Sequence, residues 1–101
     1  MVKHIVMWKL KDYAENASKN DNALKLKNRL EELKDLIPEI QSIEVGINFD
    51  TSEAAYDVVL YSEFENKEDL RAYQAHPEHQ RLISEFLEHV RIDKKVVDYE
   101  I

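Results

Sequence analysis

From Val2 to Leu10 the chain alternates, with His4, Val6, Trp8 and Leu10 on one side and Lys3, Ile5, Met7 and Lys9 on the other. A period of two, rich in Val and Ile, predicts a strand. Apolar residues on both sides of its middle predict that both faces are covered. The period then changes. Ala23, Leu26, Leu30, Leu33 and Ile37 recur at helical spacing, with Glu32, Lys34 and Asp35 on the wet side. Pro38 ends that helix, because the residue before a proline is pushed out of helical geometry. The polar stretch from Asp12 to Asn22 offers three helix starts, at Ser18, Asn20 and Asp21, and the pattern does not choose among them.

Alternation returns at Ile43, Val45, Ile47 and Phe49, a second strand. A turn follows at Asp50-Thr51-Ser52-Glu53, and a third strand runs from Tyr56 to Phe64. Asn66-Lys67-Glu68-Asp69 has the composition of a helix cap, after which Leu70 and Tyr73 share a helical face. His76-Pro77 breaks this helix, and Pro77 suits the first turn of the next. On that helix His79, Leu82, Ile83, Phe86 and Val90 form one stripe, and Val96 to Ile101 closes the chain as a fourth strand. Strand, helix, strand, strand, helix pair, strand is the order of an α+β, ferredoxin-like fold: a four-stranded antiparallel sheet with its helices on one face. The helices cover one face only. The other presents Ile5, Met7, Val97, Tyr99 and Ile101, so a homodimer through that open sheet face is expected.

Composition narrows the classes. A chain of 101 residues with 44% apolar residues and no linker or repeat reads as a single domain, 1–101. A net charge of −7, with both signs mixed along the chain, opposes nucleic-acid partners and anionic membranes. The absence of cysteine fits a reducing, cytoplasmic setting. Gly46 is the sole glycine, which excludes glycine-rich phosphate loops. No metal or cofactor is expected: His76 and His79 are interrupted by Pro77, and no thiol assists them.

In this topology the first strand lies antiparallel to the fourth. His4 then falls near Asp98, and the start of the last helix brings His79 to the same edge, with Tyr73 close by. A histidine there is poised as a general base, and an aspartate beside a histidine fixes its tautomer. A tyrosine hydroxyl can hold a carbonyl oxygen as it gains charge. Val6, Trp8, Leu26, Leu30 and Phe86 would line the space and exclude water. Such a set could bind a small carbonyl compound and abstract a proton beside its carbonyl. Each residue also has an ordinary structural reading: His79 as a satisfied core histidine, His76 as a helix cap, Tyr73 as core, and Asp98 as a solvated strand end.

Val2-Lys3-His4-Ile5-Val6, Ile37-Pro38, Tyr73 with His76-Pro77-Glu78-His79, and Val97-Asp98-Tyr99 together resemble the stress-responsive dimeric α/β barrel (Dabb) family, along the whole chain. The resemblance implies a ferredoxin-like monomer and a homodimer that closes a barrel. Its polyketide-cyclising members imply an aldol-type cyclisation, with Tyr73 orienting the substrate, His79 as general base, and His4 and Asp98 as supporting pocket residues. Two readings follow: a cyclase- or isomerase-like enzyme, or a non-catalytic dimeric stress or interaction protein.

Overall fold

The computed structural model describes residues 1–101. β1 (Val2–Leu10) follows its alternation: Val2, His4, Val6, Trp8 and Leu10 are buried under the helices. The polar stretch after it folds into a small hairpin, β2 (Tyr13–Ala14) and β3 (Ala17–Ser18), which its composition does not announce. Glu15 and Asn16 turn the corner with φ of 50° and 57°, the left-handed conformation that a two-residue hairpin loop requires at both positions. Ser18, one of the three candidate starts, caps α1 (Lys19–Leu36): its hydroxyl accepts from the Asp21 N–H at 3.2 Å. Buried Asn22 donates to the Ala14 carbonyl at 2.9 Å and ties the hairpin to the helix.

β4 (Ser42–Ile47) stops before Phe49, which stands 98% exposed outside the ladder. Gly46 fits there because a Cβ would stand 3.2 Å from Val59 Cγ1 on the neighbouring strand. β5 (Val58–Phe64) begins two residues later than its pattern predicts. α2 (Lys67–Ala75) is capped by Asn66, which accepts from the Asp69 N–H at 2.8 Å. His76 ends α2 and caps α3 (Pro77–Leu82), its Nδ1 accepting from the Glu78 N–H at 3.1 Å. The helix then widens into a π turn over Ile83–Leu87 and closes with α4 (Glu88–Val90).

β6 (Arg91–Glu100) starts five residues before the predicted Val96, because Arg91 to Lys95 are mostly polar and hide the alternation. All strand pairs are antiparallel in the order β4-β5-β1-β6, so the fold is the ferredoxin-like α+β arrangement. One core cluster fills the space between sheet and helices, from Val2 and Trp8 through Leu26 and Leu30 to Phe64, Tyr73 and Val90. The far side of the sheet carries Met7, Val59, Val97 and Tyr99, all exposed. No helix is long and apolar enough to cross a membrane.

Candidate functional site

β1 and β6 pair with His4 opposite Asp98, Val6 opposite Val96 and Trp8 opposite Lys94. Directly opposed residues share a sheet face, so all six side chains stand on the helix side. His4 is buried, and its Nδ1–H donates to the Asp98 carboxylate in a short contact. That bond sets the tautomer and leaves Nε2 as the free nitrogen. The ring lies edge-on to Tyr73, with centroids 6.0 Å apart, and to Phe64 at 6.4 Å.

Tyr73 is fully buried near the C-terminal end of α2. Its ring stacks obliquely on His79 across the His76-Pro77 break, with centroids 4.5 Å apart. The break makes this contact: the helix stops and restarts, so residues on two separate helices face each other. His79 Nδ1–H donates to the Gln74 carbonyl at 3.1 Å, an acceptor that α2 leaves open at its end. Nε2 of His79 has no protein partner. Burial holds the His79 pKa below its ordinary value; the Gln74 carbonyl opposes this, and His4, Lys94 and His76 add smaller depressions. The ring is therefore neutral at pH 7 with a free Nε2 lone pair, the form a general base needs. Burial pushes the Tyr73 phenol well above its usual range, so it stays a hydroxyl.

These groups line a cavity of about 130 Å³ between the sheet and α2–α3. That is close to the roughly 150 Å³ of an engineered apolar cavity that takes benzene. Leu30, Leu60, Leu82, Ile83 and Leu87 form its apolar walls, and it reaches the surface beside β6, where Lys94 and Val96 are exposed. The Tyr73 hydroxyl and Trp8 Nε1–H are buried without any hydrogen-bond partner, and both residues line this cavity. Buried donors are nearly always paired, and an unpaired one costs about 1–3 kcal/mol.

Six of the nine expected site residues meet here: His4, Val6, Trp8, Leu30, Tyr73 and His79. Asp98 does not line the cavity; it acts on His4 from a neighbouring hollow shared with Val2, Lys67 and Arg71. Phe86 is also placed elsewhere. It turns away and packs under the Arg29 guanidinium, 5.9 Å from the ring centroid. Leu26, expected in the lining, is buried in the core. The π turn is the reason for the change at Phe86: it holds one residue more than an α turn, so the inward position one turn beyond Leu82 passes from Phe86 to Leu87. The sequence pattern alone does not place Leu87 in the lining, nor Gln74, Arg91 and Lys94 at the cavity's edge. No three His, Cys, Asp or Glu side chains gather as metal ligands would.

A stress-response A/B barrel domain-containing protein of Arabidopsis thaliana is 31% identical over 99 residues. The match covers 98% of this chain and 36% of the relative, so the chain spans little more than a third of that protein's length. A solved structure from Bacteroides fragilis, described as a dimeric protein of unknown function with a ferredoxin-like fold, is 35% identical. It superposes with a TM-score of 0.76, covering 99% of this chain and 95% of that one. A hydroxynitrile lyase from Passiflora edulis has a TM-score of 0.80 over 99% of this chain and 92% of its own, at 19% identity, a likeness of fold alone. The sequence profile of the Stress responsive A/B Barrel Domain, Dabb, matches residues 2–101, and the chain belongs to that family.

Proposed function

We propose that the cavity takes up a small carbonyl compound and that His79 removes a proton from the carbon next to the carbonyl. The proton passes to Nε2 of His79. The C–H electron pair becomes the enolate double bond, and the oxygen that gains charge is held by the Tyr73 hydroxyl, with Trp8 Nε1–H as a second donor. Return of the proton to another carbon is an isomerisation; attack of the enolate carbon on a second carbonyl is an aldol cyclisation. His4, held by Asp98, supports Tyr73 from the far side. The observation that carries this reading is the pair of buried donors left without protein acceptors beside an unprotonated imidazole. Such donors cost stability in the free protein and are matched by a ligand oxygen.

Tyr73→Phe separates these effects. Removing the unpaired hydroxyl is expected to stabilise the free protein by about 1 kcal/mol. A β-ketoacid, lactone or diketone that binds should add roughly 2.7 kcal/mol at a hundredfold excess over its Kd, and the variant should lose most of that gain. Thermal melts with and without the compounds read both. The reading fails if no compound moves the melt, or if Tyr73→Phe keeps the whole shift.

The open sheet face favours a second reading, in which a homodimer is itself the functional unit. Met7, Val97 and Tyr99 lie on neighbouring strands there, with Val59 paired to Met7. One domain with so large an apolar face gains from a second copy. Met7→Glu is expected to sediment as a monomer while keeping its helical and strand content. A variant that remains fully dimeric would move the interface off this face.

A further inference from the structure

Arg91 and Lys94 are three residues apart on β6 and would face opposite sides of a regular strand. Here both line the cavity. The cause is a bulge. Lys9 pairs with Asp93, but Leu10 pairs with Arg91, so Ile92 is skipped and Arg91 is returned to the helix side. Neither cation takes part in any ion pair of the structure. The nearest acids along β6 are committed elsewhere. Asp93 stands on the open face beside Lys9 and accepts from the Tyr56 hydroxyl, and Asp98 is bound to His4. In a chain with a net charge of −7, two unpaired cations on one small cavity are a concentrated positive site.

We propose that the occupant of this cavity is a small carboxylate anion whose keto group is separated from the carboxylate by a single carbon, a β-oxo acid. Its carboxylate lies at the surface end, between the Arg91 guanidinium and the Lys94 ammonium. Its keto oxygen reaches inward to Tyr73 and Trp8. This rests on the proposed carbonyl site and adds the charge of the ligand to it. The chemistry is complementary at both ends: a guanidinium and a carboxylate make charge-assisted hydrogen bonds, and buried neutral donors meet a carbonyl. The carbon between the two ends is the acidic one, and it falls beside Nε2 of His79. The cavity volume suits a molecule of about the size of benzene, which acetoacetate approximates.

Trp8 is the sole tryptophan and lines the cavity, so its fluorescence reports occupancy directly. Titrations of the intact protein should compare acetoacetate with its neutral analogue acetylacetone. Acetoacetate is expected to bind about 10- to 100-fold more tightly. Arg91→Gln/Lys94→Gln should bring it down to the affinity of acetylacetone, whose own binding stays unchanged. Raising the salt concentration should weaken acetoacetate alone. Equal affinities in the unaltered protein would overturn the anion assignment and leave the carbonyl site standing. A preference for acetoacetate that survives the double substitution would overturn the role of Arg91 and Lys94. Binding of neither compound would remove both the anion assignment and the site beneath it.

Discussion

Replacing His79 with alanine is expected to lower turnover of a carbonyl substrate by about 10²- to 10⁴-fold, the usual contribution of a positioned general base. The loss should fall on kcat more than on KM, since the Tyr73 and Trp8 donors and the apolar walls remain. The pH profile gives the residue its signature. Burial depresses the His79 pKa, so the acid limb of the rate profile should lie below the ordinary imidazole value of 6.5. Stability follows the same ionisation. Above pH 6.5 the ring is neutral both folded and unfolded, and stability is full. As the pH falls, the unfolded imidazole takes its proton first, so stability declines through the lower folded pKa. His79→Ala should flatten that decline. A variant with the parent rate, or an acid limb at or above the ordinary value, would remove His79 from the chemistry.

Phe64→Ala is expected to cost about 3–5 kcal/mol, the range for a fully buried aromatic ring, out of a total of about 5–15 kcal/mol for a domain. Phe64 is completely shielded and fixes the end of β5 against α2, its ring 5.1 Å from that of Tyr73. Tyr73 in turn stacks on His79, so the cavity created by the substitution opens directly behind the site. Two measurements follow: a large drop in the melting temperature, and a loss of ligand response at temperatures where the variant is still folded. A loss under about 2 kcal/mol would mean that α2 collapses onto the sheet without Phe64. The ring would then not be what positions Tyr73.

Much of this architecture is legible in the chain because β1, α1 and β5 each keep one period over their whole length. The alternation that places His4, Val6 and Trp8 on one side is the alternation found. The pairing of His4 with Asp98 follows from topology once β1 and β6 are neighbours. His76 is legible as a cap because Pro77 restricts the backbone beside it, and Asn66 because it stands three residues before an acidic Asp69, the spacing of a helix cap. What stays hidden has a common cause. The β2–β3 hairpin turns on Glu15 and Asn16 rather than on glycine, so its composition resembles a loop. Counting in steps of about 3.6 puts Phe86 in the cavity, and that count fails across a π turn. Arg91 escapes because counting in twos fails across the Ile92 bulge, and the polar start of β6 conceals the strand itself.

The π turn and the bulge are both one-residue excesses, and they stand close together, in Ile83–Leu87 and at Ile92. Each is absorbed where it occurs. Ser84 and Glu85 are exposed and Ile92 points outward, so a shorter chain could close the helix or straighten the strand without moving Leu87, Arg91 or Lys94 off the cavity. The number of residues between His79 and the cation pair is thus free to vary while the pocket stays the same. A search for this pocket in other sequences needs an elastic gap between the histidine and the two cations. A fixed-spacing motif would pass over proteins that share the site and differ only in how much slack they carry beside it.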